Sequence, residues 1–163
     1  MLVTIMRHGE AGSAVTDQRR ELTARGTSEA KKAAVALLAA CSRWSVRPPD
    51  ELYFSRWVRT TQTARLVAEA LGLESRQSIE CLIPGSAASA TDRLLEGLDA
   101  ECHVVLVSHQ PLVSRLVDRY SGEPGRVPGL SPAGFATMRM EAPGQGCGEL
   151  LFWALPPVFE ISR

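Results

Sequence analysis

The chain has 163 residues, and its 18 basic and 18 acidic side chains balance. This length is typical of one domain that buries a core without disulfides or a metal, so we predict a single domain over residues 1–163. The balanced charge excludes a general attraction to nucleic acid or to an anionic membrane. Any anion that the protein binds must therefore be held by a local cluster of cations.

The cysteines and the first residues indicate the compartment. The four cysteines lie far apart, without a C-x-x-C pair or a histidine at metal-finger spacing, which predicts buried apolar thiols and no metal site. The apolar run of residues 2–6 is too short for a signal peptide or a membrane span. We therefore expect a cytoplasmic protein.

The first half of the chain alternates between strand and helix patterns. Residues 2–6 are β-rich and run into glycine and small polar residues, as in a buried strand that ends at a loop. Apolar residues then recur at helical spacing from Ala30 to Cys41, with Thr23 as the expected N-cap. Residues 52–55 predict a second strand, and the helical stripe after it ends at Gly72.

The second half continues this alternation after a weak region. Residues 75–92 are rich in Ser, Ala, Pro and Gly and give no clear pattern, although three leucines after them suggest a short helix. Residues 104–107 are a clear buried strand, and Pro111 fits the first turn of the helix that follows. Residues 135–140 and 150–155 predict two late strands.

Strands that alternate with helices predict an α/β fold with a mainly parallel sheet and helices on both faces. Such sheets bind ligands beyond the carboxyl ends of their strands. Three predicted strands end in polar groups: Arg7 and His8, Ser55 with Arg59 close behind, and Ser108 with His109. We expect these residues to converge at one edge of the sheet.

Two histidines and two arginines at one edge suit a phosphoryl group. The planar guanidinium of arginine matches two phosphate oxygens at once. A neutral imidazole is a good nucleophile near neutral pH, so one histidine can attack phosphorus. The other histidine, if protonated, can donate to a phosphoryl oxygen and stabilise the charge that develops in the transition state.

Four segments of the chain resemble the histidine phosphatase superfamily, the phosphoglycerate-mutase-like proteins, and especially its small SixA branch. Residues 6–11, M-R-H-G-E-A, are similar to the R-H-G signature, and Leu22-Thr23 with Gly26 to L-T-x-x-G. Residues 55–64 resemble S-x-x-x-R-A-x-Q-T-A. Residues 107–113, V-S-H-Q-P-L-V, resemble the second-histidine motif in its SixA form.

The resemblance implies a three-layer α/β/α sandwich with a mainly parallel central sheet, without a metal or other cofactor. It also implies that His8 accepts the phosphoryl group, and that Arg7, Arg59 and His109 complete the phosphate pocket. Larger relatives use a carboxylic acid to protonate the leaving oxygen. Glu80 lies in about the corresponding region and is our candidate, while Glu10 and Asp17 are rivals that we expect to be surface carboxylates.

The leaving group narrows the substrate. An alkoxide is about as basic as hydroxide and needs an acid, whereas a phosphohistidine ring can carry a proton on its far nitrogen and leave as neutral imidazole. A site without an obvious acid therefore favours a phosphohistidine, and the SixA resemblance also implies a phosphotransfer protein or domain as partner. We expect a monomer.

Three alternatives remain at this stage. The chain could be a phosphatase of a small phosphorylated metabolite, or an inactive module that binds phosphoproteins. A mutase is disfavoured because the chain has little sequence from which to build a lid that excludes water.

Overall fold

A computed structural model describes residues 1–74 and 76–163. The strands among these residues are, in chain order, β1 (Leu2–Arg7), β2 (Glu51–Phe54), β3 (Arg76–Ser78), β4 (His103–Ser108), β5 (Phe135–Met140) and β6 (Gly148–Ala154). The α-helices among them are α1 (Ala24–Arg43), α2 (Val58–Leu71), α3 (Ala88–Glu96) and α4 (Leu112–Ser121). Two short 3-10 turns cover Asp17–Arg19 and Glu80–Leu82.

The strands that the structure describes form one sheet in the order β3-β2-β4-β1-β5-β6. The pairs β3–β2, β2–β4 and β4–β1 are parallel, whereas β5 and β6 run antiparallel at one edge. The expectation of a mainly parallel central sheet is confirmed. Because β1 and β4 are neighbours in the parallel part, the loops that follow them leave the same edge side by side.

Helices cover both faces of the sheet, as the alternation of strand side chains requires. Met6 and Val107 point to the face that packs against α1 and α2, where Leu37 and Val67 meet them. Ile5 and the other strand residues whose side chains point to the opposite face pack with α3 and α4 there. The predicted three-layer α/β/α arrangement is therefore confirmed.

The start of α1 and the end of α2 follow the signals in the sequence. The Thr23 side chain accepts a hydrogen bond from the Gly26 amide at 3.0 Å, which confirms it as the N-cap of α1. Gly72 ends α2 in the left-handed region with φ of 69°. No helix in residues 1–74 and 76–163 is long and apolar enough to cross a membrane.

The weak region after α2 contains structure that the sequence pattern did not indicate. Residue 75 lies outside the described residues, and the stretch after it forms β3, a 3-10 turn and the start of α3. The predicted short helix therefore begins earlier than its leucines suggested. A three-residue edge strand is too short to show an alternating pattern, so β3 had no signal to find.

His103 lies in a buried polar network at the sheet end opposite the polar strand ends. Its Nδ1–H donates to the Arg47 carbonyl at 2.6 Å, and its Nε2 accepts from the Thr4 hydroxyl at 2.8 Å. Thr137 in turn donates to Thr4 at 2.8 Å. Burial lowers the pKa of His103 to about 4, so the ring is neutral at pH 7.

Because the pKa of His103 is lowered by burial, we expect the protein to lose stability in mild acid. Between the native pKa of about 4 and the unfolded value of about 6.5, only the unfolded chain binds the proton. The free energy of unfolding therefore falls as pH falls through that window, and His103 contributes about 2 kcal/mol of the loss between pH 7 and pH 5. Urea unfolding at both pH values would measure it. An equally large pH dependence in His103→Gln would contradict this assignment.

Candidate active site

The register of β1 and β4 brings the two candidate histidines together. Arg7 pairs with Ser108 across the two parallel strands, and the His8 amide donates to the Ser108 carbonyl at 3.0 Å. His8 and His109 are therefore the next residues on adjacent strands. Their ring centroids lie 5.1 Å apart in an edge-to-face arrangement. The convergence expected from the sequence is present in the structure.

The His8 ring is held as a neutral imidazole with a defined tautomer. Its Nδ1–H donates to the Gly9 carbonyl at 2.7 Å, so the lone pair lies on Nε2. Burial, together with the charges of Arg59, Arg7 and Arg20, lowers the pKa of His8 to about 4, against the opposing effect of the Gly9 hydrogen bond. At neutral pH Nε2 is therefore unprotonated and can act as a nucleophile.

Arg59 and Arg7 supply positive charge beside this nitrogen. The Arg59 Nε–H donates to His8 Nε2 at 3.0 Å, and the guanidinium carbon lies 4.8 Å from the centre of the Trp57 ring. Arg7 donates from Nη1 to the Leu130 carbonyl at 3.1 Å. Burial lowers the pKa of both arginines, and for Arg7 the nearby Arg59 charge adds to this effect. A bound anion would offset the electrostatic repulsion between these two cations.

A cavity of about 320 Å³ is lined by the two histidines and the two arginines, His8, His109, Arg7 and Arg59. Its wall also contains two carboxylates and a third arginine: Glu10, Asp17 and Arg20. Asp17 accepts from Arg59 at 3.1 Å and from Arg20 at 3.0 Å, and those hydrogen bonds, that from Arg20 foremost, lower the pKa of its carboxyl group. In the ligand-free protein, the Asp17 carboxylate therefore accepts from an Arg59 N–H group that would otherwise be free to bind an anion.

Glu80, the candidate general acid from the sequence, lies away from this cavity. It begins a 3-10 turn after β3, and its side chain is 66% exposed and 3.3 Å from Arg56. Of the residues that the structure describes, the carboxylates in the cavity wall are Glu10 and Asp17 instead. The two rivals, expected at the surface, are thus the ones that reach the candidate site, although Asp17 is still about half exposed.

Polar side chains of α2 join the motifs that surround the histidines. The Gly9 amide donates to the Thr63 hydroxyl at 3.0 Å, and that hydroxyl donates to the Arg59 carbonyl at 2.7 Å. Gln62 accepts from the Leu22 amide at 2.7 Å. The helix that carries Arg59 is therefore tied both to the loop after His8 and to the segment before α1.

Two motif glycines allow that loop to approach α1 closely. A Cβ atom at Gly26 would lie 2.1 Å from the Glu10 carbonyl oxygen, and one at Gly9 would lie 2.7 Å from the Gly26 carbonyl oxygen. Both distances are shorter than any tolerated contact. Glycine at these two positions is required for the loop after β1 to pack on the first turn of α1 and to hold His8 in place.

The sequence did not indicate the contribution of Arg20, whereas Gln62 lies within the matched motif at residues 55–64, without an assigned role. Both side chains are oriented by contacts that only the fold creates. Arg20 donates from Nε to the Gly12 carbonyl at 2.7 Å and from Nη2 to the Ala11 carbonyl at 3.1 Å. Arg20 lies two residues before the Leu22-Thr23 motif, and this proximity was the sequence feature that could have indicated a role at the site. The complete arrangement offers one neutral nitrogen nucleophile, a second buried imidazole and three guanidinium groups around a small cavity.

Comparison with known proteins agrees with this chemistry. The family model of the histidine phosphatase superfamily (branch 1) matches residues 3–80. A phosphohistidine phosphatase SixA homolog of Haemophilus influenzae is 33% identical over 129 residues, which cover 76% of this chain and 79% of that protein. The matched region thus includes most of both chains.

Solved structures extend the similarity to the whole fold. The protein histidine phosphatase SixA complexed with tungstate is 28% identical, has a TM-score of 0.77, and is matched over 94% of this chain and 96% of that one. A mycobacterial glucosyl-3-phosphoglycerate phosphatase complexed with VO3 has a TM-score of 0.70 at 19% identity, over 95% and 99% of the two chains, which shows the shared fold. This chain is a phosphatase and belongs to the histidine phosphatase superfamily.

Proposed function

We propose that this chain hydrolyses phosphohistidine on a phosphotransfer protein or domain, through a transient phosphoryl group on His8. The observation that carries the proposal is the pairing of an unprotonated His8 Nε2 with a cavity in whose wall the Asp17 carboxylate is held ionised by two arginines. Such a site has a nucleophile, and Asp17 is not a ready proton donor at neutral pH. The SixA homolog and the SixA structure support the same substrate class.

The first chemical step suits an imidazole leaving group. His8 Nε2 forms a bond to phosphorus while the substrate N–P bond breaks, and its electron pair stays on the departing nitrogen. If the far nitrogen of the substrate ring carries a proton, the ring leaves as neutral imidazole and needs no acid. Arg7 and Arg59 would stabilise the equatorial phosphoryl oxygens during transfer.

The second step reverses the first with water as nucleophile. Phosphorylated His8 keeps its proton on Nδ1, which donates to the Gly9 carbonyl oxygen, so the ring carries a positive charge and is a good leaving group. Water attacks phosphorus, the N–P electron pair returns to Nε2, and the water protons stay with the inorganic phosphate. Gly9 thereby favours both the nucleophilic tautomer and the departure of the same ring.

The experiment that tests this function compares two substrates at equal enzyme concentration. Loss of acid-labile phosphate from a phosphohistidine-bearing phosphotransfer domain is followed beside hydrolysis of an aryl phosphate ester. We expect a higher kcat/KM for the phosphohistidine protein. Faster turnover of the ester or of a sugar phosphate would move the substrate class to small metabolites, and no turnover of either would contradict an active phosphatase.

A metabolite phosphatase is the second candidate, and the position of Asp17 favours it. An ester needs a proton on its leaving oxygen, and Asp17 lies in the cavity wall beside Arg59. If an ester displaced it from Arg59, the Asp17 carboxyl group could reach the leaving oxygen. The same residue would be dispensable for a phosphohistidine substrate.

Asp17→Asn therefore separates the two candidates. The substitution removes the negative charge that competes with phosphate for Arg59, so we expect inorganic phosphate to inhibit up to about fivefold more strongly. The kcat for the phosphohistidine protein should stay within about twofold of wild type, because no acid is required. Inhibition constants and kcat on both substrates measure these effects.

Glu80→Gln is the matched control for this variant. It removes an exposed carboxylate outside the cavity, so neither phosphate inhibition nor kcat should change. A loss of ester activity in Asp17→Asn but not in Glu80→Gln would identify Asp17 as the acid. A loss in Glu80→Gln alone would support the acid expected from the sequence.

A further inference from the structure

The second histidine has a hydrogen-bonding pattern different from that of the first. His109 is 2% exposed, and its Nε2 lies 2.9 Å from the hydroxyl oxygen of Ser55, the residue that follows β2. Ser55 is completely buried. Among the described residues, no group lies within hydrogen-bonding range of His109 Nδ1. One ring nitrogen is therefore within hydrogen-bonding distance of Ser55, whereas the other, in a ring that lines the cavity, is buried without a partner among the described residues.

The proton of the Ser55 hydroxyl decides which nitrogen carries hydrogen. A serine hydroxyl donates once and accepts twice. The Trp57 amide donates to its oxygen at 3.4 Å, and the other hydrogen-bonding partner of that oxygen within the described part of the chain is His109 Nε2. If Nε2 carried the ring hydrogen, the buried Ser55 proton would have no acceptor among the described residues and Nδ1 would also be an unpaired acceptor, whereas with the hydroxyl donating to Nε2 only the Nδ1–H lacks a partner. The arrangement with fewer unpaired buried groups places the ring hydrogen on Nδ1.

We propose that Ser55 is a positioning residue that holds His109 in the Nδ1–H tautomer, so that His109 donates to a phosphoryl oxygen while it remains neutral. This inference rests on the proposed use of the cavity for phosphoryl transfer. It replaces the sequence-based expectation of a protonated second histidine. The donor is present before the substrate arrives, without the uptake of a proton.

The surroundings of His109 explain why a neutral donor is favoured. Burial, and next the proximity of His8, lower its pKa to about 3, and Arg59 and Arg7 act in the same direction while Asp17 opposes them. An imidazolium at this position would repel the arginines that bind the anion. A neutral ring donates only from the nitrogen that carries hydrogen, so its tautomer determines whether His109 can contact the phosphoryl group at all.

The same tautomer then gives the two histidines different functions. In His8 the Nδ1–H is bound by Gly9, and the lone pair on Nε2, which accepts from the Arg59 Nε–H in the ligand-free protein, is the one that can attack phosphorus. In His109 the lone pair of Nε2 is bound by Ser55, and the free Nδ1–H is available for donation. Two buried neutral rings 5.1 Å apart can thus act as nucleophile and as donor without a proton transfer between them.

The direct test is the ring nitrogen spectrum of ¹⁵N-histidine-labelled protein at pH 7. The chain contains three histidines, so signals can be assigned from His8→Asn and His103→Gln. We expect His109 to show a protonated Nδ1 and an unprotonated Nε2 in the ligand-free wild type. A protonated Nε2 there would overturn the proposal, and this measurement needs neither a substrate nor a variant at Ser55.

Ser55→Ala and Ser108→Ala form a matched pair for the role of the hydroxyl. Both serines are fully buried at neighbouring strand ends, but the Ser108 hydroxyl donates to the Leu82 carbonyl at 2.7 Å rather than to a histidine. We expect Ser55→Ala to shift His109 towards the Nε2–H tautomer, and Ser108→Ala to leave it unchanged. An unchanged tautomer in Ser55→Ala, or an equal shift in both variants, would overturn the proposal.

The kinetic consequence should follow the tautomer. We expect kcat of Ser55→Ala to fall on the order of tenfold, less than the roughly 100-fold loss expected when a transition-state donor is removed outright. Ser108→Ala should retain kcat. A shifted tautomer without a loss of kcat would overturn the role of Nδ1–H, whereas a different preferred substrate would change the proposed function and leave the tautomer result intact.

Discussion

His8→Asn is expected to reduce phosphatase turnover at least about 10⁴-fold, because it removes the nitrogen that would carry the phosphoryl group. Asparagine retains a polar side chain of similar reach beside Gly9 and Arg59, so the cavity should keep its shape. Its amide cannot form a stable bond to phosphorus. Initial rates on the preferred substrate, with a tungstate-binding measurement to verify the pocket, would establish the loss.

Trapping of the intermediate identifies which histidine accepts phosphate. Brief reaction with a ³²P-labelled substrate, stopped in alkali, should leave acid-labile label on wild-type protein and none on His8→Asn. His109→Asn is the matched control, since it lies at the end of the adjacent strand with its ring centroid 5.1 Å from that of His8. It should still accept some label, slowly. Label retained in His8→Asn and absent from His109→Asn would make His109 the acceptor.

Arg59→Lys is expected to lower kcat/KM about 10²- to 10³-fold, although it keeps the positive charge. A lysine ammonium cannot present two parallel donors to phosphate oxygens, and it cannot reproduce the planar contact of the guanidinium with Trp57. It would also lose the Nε–H that contacts His8 Nε2 at 3.0 Å. Steady-state kinetics and phosphate inhibition on the same protein would separate binding from turnover.

Arg20→Lys provides the control for charge alone. Arg20 also lines the cavity, but its Nε and Nη2 donate to the Gly12 and Ala11 carbonyls of the preceding loop. We expect at most about a tenfold loss, because its Nε and Nη2 donate to backbone carbonyls and its Nη1 donates to Asp17. Comparable losses in Arg20→Lys and Arg59→Lys would show that Arg59 has no special geometric role.

The best-predicted parts of the fold are those with strong local signals. The buried run at 104–107 became the core of β4, and Thr23 and Gly72 bound the helices where their side-chain and backbone preferences placed them. Strand β3 was missed, because three residues at a sheet edge have no period to recognise. The late antiparallel pair was anticipated as two strands, but their pairing depends on contacts distant in sequence.

The candidate site was predictable as a set of residues but not as a geometry. His8 and His109 each directly follow a strand, and Arg59 lies in the first turn of the helix after β2. Parallel strands bring their carboxyl ends together, so the convergence of these residues follows from local patterns. The position of the candidate acid relative to the cavity did not follow from local patterns. Glu80 is in the expected part of the chain, but the 3-10 turn that carries it directs the side chain to Arg56 outside the cavity.

The α/β class, the main helices and strands, and the residue types that can hold and transfer a phosphoryl group were all predictable from the amino-acid sequence, since these depend on short-range periodicity and side-chain chemistry. The hydrogen bond from Arg59 to Asp17, the contact of Ser55 with His109 and the close approach of Gly9 to Gly26 were visible only in the folded chain. These contacts join residues on different elements. Their distances and protonation states depend on strand register and burial, which no local pattern encodes.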